Sequence, residues 1–336
     1  MLGGMIRLLL WLACLTAILG AQTPAPAAPA PTRANILRGE YGRYRANNDL
    51  LFYHLDIRVD PEKKFLSGKV VIRFKMLKDD TRIQLDLHTA LNIDKILLGS
   101  TALKYERETD AVFVDFPETL RAGRVYTIDF YYSGNPVETG RFGGIAFRKD
   151  PAGRPWINTA CEGIGASVWW PNKDQWRDEV QNMRISVAIP NDLVDVSNGK
   201  FLGKTDLGDG YTRWDWLVQY PINNYDVSLN IGHYKHFSDR LGSGPLDFYA
   251  LPEDLEKAKK QFAQAKGMIQ AFQHYFGEYP FQEGRLQADP GALLRHGAPE
   301  RGDLRQPLRQ RIPGARLDRR GYQPALRLHH HSRKRA

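Results

Sequence analysis

Cysteine is almost absent from this sequence, with only Cys14 and Cys161 among 336 residues. Cys14 lies in an apolar N-terminal segment that we expect to be removed, so the mature chain would keep Cys161 alone. A single cysteine cannot form an intrachain disulfide, and it also excludes a zinc site made of cysteines. Lipid attachment at Cys14 is a weaker alternative, because Trp11 stands where such a motif requires an aliphatic residue.

The C-terminal segment, residues 282–336, lacks Phe, Trp and Val and has Tyr322 as its one tyrosine. It contains twelve Arg and one Lys against five acids, which gives it +8 of the net charge of +9. A segment with so few large apolar residues cannot bury enough surface to offset the entropy lost on ordering. We therefore expect a disordered basic tail, whose charge says nothing about the rest of the chain.

Long hydrophobic runs are missing too. The apolar stretch Leu8–Leu19 is too short to span a bilayer comfortably. With Arg7 before it and the small residues Gly20 and Ala21 after it, residues 1–21 are typical of an export signal. We expect a secreted or periplasmic protein without a transmembrane anchor after cleavage; an uncleaved anchor is the alternative. Residues 22–39, rich in Pro and Ala, form a predicted linker.

Strand patterns dominate residues 40–248. Six segments alternate apolar and polar residues with the period of a half-buried strand. They are Phe52–Val59, Lys69–Met76, Arg82–Leu87, Val125–Tyr131, Arg184–Ile189 and Tyr211–Val218. Turn residues such as Asp60-Pro61 and Ser133–Pro136 separate them. The spacing predicts a mainly β fold, an antiparallel sandwich or saddle.

The hydrophobic period changes in residues 249–281. Pro252, Glu253 and Asp254 are typical of a first helical turn. Apolar residues then recur at helical spacing until Gly277, which predicts a single amphipathic helix that ends there. This helix would begin a second, α-rich domain.

One loop carries a recognisable pattern. Thr159 is followed by Glu162 three residues later and then by Pro171-Asn172-Lys173-Asp174. This order resembles the signature of zinc aminopeptidases of the aminopeptidase N and leukotriene hydrolase family, in which a Thr, a Gln, any residue and a Glu or Gln precede a Pro-x-x-Asp corner. The usual Gln is Ala160 here, and the usual Arg of the segment is absent.

Three further segments support the resemblance, which extends over residues 40–281. Tyr53–Ile57 resembles the start of the family's saddle-shaped β-domain, Asn223–Val227 its end, and Phe276–Phe281 the entry into its thermolysin-like catalytic domain. The resemblance implies a metallopeptidase that releases N-terminal residues from peptides, with zinc as cofactor and peptide N-termini as partners.

The resemblance also gives a role to Glu162, as the anchor of the substrate's free α-amino group. A carboxylate in a shielded pocket pairs well with a primary ammonium. The alternative is a Glu that pairs with an Arg or caps a turn. Trp169 and Trp170 are interpreted as core packing. His233 and His236 receive no metal role, because their strand spacing would place them on opposite faces.

The family's zinc site is missing from the sequence. It requires HExxH on a helix and a downstream Glu, and this chain contains no His-Glu dipeptide. We therefore expect no catalytic residue, no bound zinc and no peptidase activity in this chain.

A shifted reading frame would explain the missing site and the unusual tail. Codons allowed for His296–Arg301, read one base later, can encode Met-Glu-His-Gln-Ser, and those for His330–Arg335 can encode Ile-Ile-His-Glu-Ser-Gly. These peptides resemble the family's catalytic domain in the correct order, which suggests a frameshift near residues 283–285. The alternative is a stand-alone, non-catalytic binding domain whose basic tail binds an anionic surface; an exported protein makes nucleic acid an unexpected partner.

Overall fold

The computed structural model describes residues 30–139, 143–163, 165–242 and 244–278, and the backbone of Leu286–Ala288. Two short helices precede the strands, α1 (Arg33–Gly39) and α2 (Arg43–Ala46). The first ten strands are β1 (Asn48–Asp60), β2 (Phe65–Met76), β3 (Asp80–Asp86), β4 (Leu91–Leu98), β5 (Thr101–Ala102), β6 (Lys104–Glu108), β7 (Ala111–Leu120), β8 (Val125–Gly134), β9 (Gly144–Lys149) and β10 (Pro155–Ala160).

The second half continues in the same style and ends in helices. Its strands are β11 (Asn182–Pro190), β12 (Val194–Ser197), β13 (Lys200–Asp206), β14 (Tyr211–Val218), β15 (Leu229–Gly232), β16 (Lys235–Leu241) and β17 (Gly244–Ala250). Helices α3 (Leu255–Phe262) and α4 (Ala265–Phe276) and the short strand β18 (Leu286–Ala288) follow. The 3₁₀ turns are Ala166–Val168, Asn224–Asp226 and Pro252–Asp254.

The six strands predicted from the alternating patterns are confirmed as β1, β2, β3, β8, β11 and β14. Strand β1 shows why the pattern works. Tyr53, Leu55, Ile57 and Val59 are at most 2 % exposed, whereas the residues between them are only half-buried. Successive side chains of a strand point to opposite faces, so this alternation covers one face of the sheet with core.

Four sheets make up the β structure. The largest has eight strands in the order β13-β14-β11-β1-β2-β8-β4-β5, and a four-stranded sheet has the order β12-β15-β10-β9. Two three-stranded sheets have the orders β3-β7-β6 and β16-β17-β18. Most pairs are antiparallel, as predicted, but β1 pairs in parallel with β11. A parallel pair needs a long connection, and more than a hundred residues separate these two strands.

One hydrophobic core joins the eight-stranded sheet, the four-stranded sheet and the β3-β7-β6 sheet, and it also includes Tyr249 of β17. It contains Leu55 and Ile185 from the eight-stranded sheet, Leu85 from β3, and Ile157 and Ile231 from the four-stranded sheet. Each of these side chains is at most 1 % exposed. Burial of a large aliphatic side chain stabilises a fold by roughly 1.5–3 kcal/mol, so this shared core makes the sheets one cooperative body, which we call the β-body (residues 40–234).

The chain divides into two units, Met1–Ile36 and Leu37–Ala336. In the first unit, the side chain of Thr32 accepts a hydrogen bond from Asn35 N at 3.2 Å, which is the contact expected of an N-cap. In the second unit, Leu37 packs in a small cluster with Ala111 and Phe113. Residues 33–39, which the sequence assigns to the linker, therefore include a helix and a buried side chain.

The hairpin β16–β17 packs against α3. Phe237 and Phe248 lie across the hairpin from each other with ring centroids 5.2 Å apart, and Phe248 stacks on Phe262 of α3 at 5.0 Å. The domain boundary expected between residues 248 and 249 thus falls inside β17.

The helical segment differs in one detail from the single helix predicted. The chain leaves α3 through a tight turn in which Gln264 N donates to Gln261 O at 3.3 Å, and then enters α4. Gly277, with φ 91°, ends α4 as predicted. None of the helices described is long and apolar enough to cross a membrane.

The structure also departs from the expected disorder of the tail at three positions. Leu286–Ala288 pair in parallel with Leu246–Phe248 of β17. Backbone hydrogen bonds to an open strand edge explain this order, since they do not require large apolar side chains. The remaining residues of the tail lie outside the described residues, so disorder there stays a prediction.

Candidate functional site

The turn that carries Glu162 follows strand β10. Antiparallel pairing with β9 and β15 fixes β10 in the four-stranded sheet, and Thr159 Oγ1 strengthens this by accepting a hydrogen bond from Leu229 N at 3.0 Å. A hydrogen bond from Gly165 N to Cys161 O at 3.1 Å then closes the turn, which we call the Glu162 turn. Cys161 is buried and Glu162 is exposed, so the turn directs a carboxylate away from the core.

The Pro171–Asp174 corner is the buried counterpart of this turn. Asn172 is completely buried and exchanges backbone hydrogen bonds with Asp86, at 2.7 and 3.1 Å. The side-chain amide of Asn224 donates to Asn172 Oδ1 at 3.0 Å and to Lys173 O at 2.7 Å. The corner is thus tied on one side to β3 and on the other to the 3₁₀ turn that contains Tyr225.

Two buried charge pairs lie beneath the corner. Arg45 contacts Asp86 at 2.6 Å, with side chains 1 % and 5 % exposed. Burial raises the pKa of Asp86 to about 6, although the charge of Arg45 opposes this rise. Because a buried polar group needs its partners to offset desolvation, these contacts hold the surrounding backbone in one arrangement.

The second pair joins Lys173 and Asp178. The ammonium of Lys173 is fully buried, contacts the Asp178 carboxylate, and donates to Asn48 O at 2.8 Å. Burial lowers its pKa, while the charge of Asp178 acts in the opposite direction. Asp178 in turn accepts a hydrogen bond from Leu50 N at 3.1 Å, so this pair ties the corner to β1.

Tyr225 is the described residue whose electrostatics report on Glu162. Partial burial raises the pKa of the Tyr225 hydroxyl, and the charges of Asp226, Glu162 and Glu179 add to the rise. Asn223 holds Glu179 through a hydrogen bond of 2.8 Å. The carboxylates of Asp226, Glu162 and Glu179 thus all act on the Tyr225 hydroxyl, and such a group of carboxylates favours a cationic ligand group over an anionic one.

The two tryptophans of the loop are core residues, which confirms their interpretation as packing. Trp169 and Trp170 are both 0 % exposed. Trp170 meets the ring of Tyr53 edge-on at 5.1 Å, and the Tyr53 hydroxyl accepts a hydrogen bond from Lys173 N at 3.0 Å. Both tryptophans pack in the core next to the Pro171–Asp174 corner and do not line a surface pocket.

The described histidines do not form a zinc site. His233 Nε2 lies 3.1 Å from Asp192, and His236 Nε2 lies 2.7 Å from Asp247, so the two side chains have different partners. His54 contacts Ser186 at 2.9 Å. Among the residues that the structure describes, no group of three or more His, Cys, Asp and Glu could hold a metal ion. The donor set present here does not fit zinc.

Comparison with known families decides the relationship. The family model described as the Peptidase M1 N-terminal domain matches residues 50–225, more than half of the chain. This chain belongs to the peptidase M1 family. The match includes both the Glu162 turn and the Pro171–Asp174 corner, so the resemblance inferred from the sequence is confirmed.

Solved structures of M1 enzymes share the fold. An M1 zinc metallopeptidase from Deinococcus radiodurans has 19 % identity and a TM-score of 0.57, with 72 % of this chain and 56 % of that chain covered. A mutant of the Deinococcus radiodurans enzyme bound to a Tyr-Ser-Ala substrate gives 19 % identity, a TM-score of 0.58, and coverage of 73 % and 56 %. This M1 chain spans just over half the length of those proteins.

The sequence predicted Glu162 as a site residue, which stays a prediction, but it did not predict the residues that contact the neighbouring corner. Asp86 and Arg45 lie far from the loop in sequence, and Asp178 lies just after it; in the sequence all three look like ordinary charged surface residues. The positive φ of Gly165, 85°, could have been suspected from the two glycines in Glu162-Gly163-Ile164-Gly165. The remaining partners could be identified only from the fold.

Proposed function

We propose that this chain is the N-terminal portion of an exported zinc-dependent aminopeptidase, and that Glu162 binds the free α-ammonium of the peptide substrate. The observation that carries the proposal is an exposed carboxylate on a turn of the M1 N-terminal domain. The carboxylates that act on the Tyr225 hydroxyl, Glu162 among them, support a cationic partner.

An ammonium anchor determines which bond such an enzyme cleaves. A carboxylate and an ammonium form charge-assisted hydrogen bonds, roughly twice as strong as neutral ones. When the N-terminus of the peptide is held at Glu162, the first peptide bond lies at a fixed distance from the anchor. Substrates with a blocked amine lose this contact, so the enzyme would be an exopeptidase.

Hydrolysis requires groups that this reading frame does not supply. When bound, zinc in an M1 enzyme activates a water for attack on the peptide carbonyl, and the residues described here cannot hold it. We propose that a frameshift near residues 283–285 removed the zinc-binding helix from the translated sequence, and that the 336-residue chain is inactive by itself. The segment of residues 1–21 would direct the protein to the periplasm or the medium.

The gene itself provides the first test. We expect that one inserted or deleted base near the codons for residues 283–285 restores an open frame that encodes HExxH. The restored protein should hydrolyse an aminoacyl-arylamide, and the 336-residue chain should not. Turnover by the metal-loaded 336-residue chain, or a gene without an open continuation in the shifted frame, would contradict the proposal.

The second test addresses Glu162 in the restored enzyme. Glu162→Gln keeps the shape and removes the charge, so KM for a substrate with a free amine should rise about tenfold or more, since loss of a charged hydrogen bond costs about 1.5–3 kcal/mol. Glu179→Gln is the matched control, because it neutralises a neighbouring carboxylate that is held by Asn223. Equal effects of the two substitutions would mean that general negative charge, and not Glu162, binds the amine.

A further inference from the structure

The Glu162 turn begins at the buried Cys161 and leads into the buried residues Ala166 and Ser167. Its backbone closes on itself through the hydrogen bond from Gly165 to Cys161, and Arg38 donates to Gly163 O at 3.4 Å from an exposed position. An exposed side chain on a short turn points in a defined direction only if the backbone beneath it is fixed. The contacts on the C-terminal side of the turn therefore help to fix the backbone that carries Glu162.

Asp174 supplies those contacts. Its Oδ2 atom accepts a hydrogen bond from Ser167 N at 3.1 Å, just beyond the turn. The same oxygen fills the space beside Gly165, where a Cβ atom would overlap the carboxylate. Gly165 also has φ 85°, a conformation that residues with a side chain rarely adopt. The glycine and the aspartate thus fit together as a pair.

The backbone of Asp174 is in turn held by the buried carboxylate of Asp86. Its backbone N–H donates to Asp86 Oδ2 at 3.0 Å, and the other oxygen of Asp86 accepts the buried hydrogen bond from Arg45 at 2.6 Å. A continuous series of hydrogen bonds thus leads from helix α2 through Asp86 and Asp174 to Ser167, the second residue after Gly165. The link between Arg45 and Asp86 is buried and the two links through Asp174 are partly buried, so the series connects the core to an exposed turn.

We propose that Asp174 is the positioning residue for the Glu162 turn, and that together with Gly165 it sets the direction in which the Glu162 carboxylate meets a ligand ammonium. The ligand part of this inference rests on the proposed function, whereas the positioning part does not. Asp174 acts through the backbone and does not touch the ligand.

The positioning part is tested in the full 336-residue chain by amide hydrogen exchange and ¹H–¹⁵N NMR. Asp174→Ala removes the acceptor of the Ser167 amide, so exchange at Ser167 should accelerate about tenfold or more, as expected for the loss of one hydrogen bond. The amide resonances of Glu162 and Gly165 should shift. Asp174→Asn retains an oxygen acceptor and should largely restore both.

Two further variants separate this role from a general loss of structure. Gly165→Ala introduces the overlap from the opposite side and should reproduce the effect of Asp174→Ala. Asp79→Ala is the matched control, because Asp79 also accepts a backbone hydrogen bond, from Ala122 N at 2.7 Å, but in the connection between β2 and β3. It should leave the resonances of Glu162 and Gly165 unchanged, and circular dichroism should show that each variant keeps its strands.

The ligand part uses Tyr-Ser-Ala and its N-acetylated form as probes, titrated into the same samples. The free tripeptide should shift the Glu162 resonance in the wild-type chain, and Asp174→Ala should weaken its binding about tenfold, whereas the acetylated form should bind to neither. If exchange at Ser167 and the turn resonances stay the same in Asp174→Ala, the positioning role is wrong. If they change but neither chain binds the free tripeptide, the positioning role stands and the ammonium anchor fails in this chain.

Discussion

The β-body and the helices α3 and α4 differ in how completely they bury their large side chains. In the β-body, side chains as large as Trp169, Trp170 and Trp216 are 0 % exposed. In the two helices the one buried residue is Ala258, and the aromatic residues Tyr275 and Phe276 are 76 % and 70 % exposed. One region has a closed core, and in the other the described residues cover only part of the apolar surface of the helices.

This contrast shows that amphipathic spacing alone does not bury a helix. Isolated helices of this length are marginal in water, and most helical stability in proteins comes from packing of the apolar face. Helix α3 obtains part of that packing from the hairpin, through Phe262. Helix α4 has the same kind of sequence, but its large side chains remain half-buried or exposed.

The largest expected effect comes from a truncation in each region. Trp170→Ala should lower the free energy of unfolding of the β-body by about 3–5 kcal/mol, because it removes a fully buried ring and leaves a cavity. Phe276→Ala should change the same quantity by less than about 0.5 kcal/mol. Urea denaturation followed by circular dichroism compares the two. Similar losses would mean that α4 is packed as tightly as the β-body.

Two lysines allow the β-body and the helices to be compared by the effect of losing one charge of an ion pair. Lys173→Met leaves Asp178 buried without its counter-charge, and loss of one partner of a buried pair typically costs about 3–5 kcal/mol. Lys257 in α3 pairs with Asp254 in solvent, so Lys257→Met should have no measurable effect. Thermal unfolding of both variants measures the difference. A Lys173 variant as stable as the wild type would show that the buried pair does not support the corner.

The pH dependence of stability should also come from the β-body. Asp195 accepts hydrogen bonds from Ser197 at 3.0 Å and Trp216 at 2.8 Å, and burial raises its pKa from the ordinary 3.8 to about 7. Between those two values the folded state keeps a proton that the unfolded state has lost. The contribution of the protonated Asp195 carboxyl to the free energy of unfolding is therefore complete below pH 3.8 and is lost as the pH rises through 7.

The raised pKa of Asp195 sets both the expected loss of unfolding free energy and the variant that tests it. A rise of about three pKa units corresponds to about 4 kcal/mol. Asp86, whose pKa is raised to about 6, acts with the same sign. Asp195→Asn should flatten the decline of unfolding free energy between pH 4 and pH 7, measured by urea denaturation at a series of pH values. Parallel curves for the variant and the wild type would exclude Asp195 as the source.

Substitution of the exposed aromatic residues of α4 should have the smallest effect on stability and the largest effect on solubility. The double variant Tyr275→Ser, Phe276→Ser removes two exposed rings from α4, so aggregation should decrease while the melting temperature of the β-body stays the same. Trp176 is a matched control, because it is 79 % exposed but stands alone in a loop. Light scattering of both variants tests whether aggregation occurs through the apolar face of α4. If Trp176→Ser reduces aggregation more than the double variant does, the face of α4 is not the aggregating surface.

The fold was largely predictable because its signals are local. The alternation of apolar and polar residues from Phe52 to Val59 reflects the geometry of a single strand, and Gly277 ends a helix for a reason that is also local. The parallel pairing of β1 with β11 was not predictable, since nothing in either strand states which partner lies beside it. The break between α3 and α4 was missed too, because the apolar spacing continues across residues 263 and 264.

The candidate site divides in the same way. Glu162 was predicted from its neighbours in the loop, since Thr159, Glu162 and Pro171–Asp174 lie in one short stretch of the chain, and its role stays a prediction. The contacts of Asp174 could not be predicted, because they join residues from helix α2, strand β3 and the loop, which are distant in sequence. Where the Glu162 carboxylate acts, and whether the zinc helix follows in another frame, are proposals that the experiments above address.

The sequence by itself determined where six of the strands lie, which of their faces are apolar, and which loop resembles the M1 pattern, because these properties depend on residues that are close together in the chain. Only the tertiary structure decided that Arg45, Asp86 and Asp174 join in one series of hydrogen bonds beneath that loop. Such contacts form when separate sheets close over a common core, and desolvation then makes each buried charge depend on a partner that its own segment does not contain.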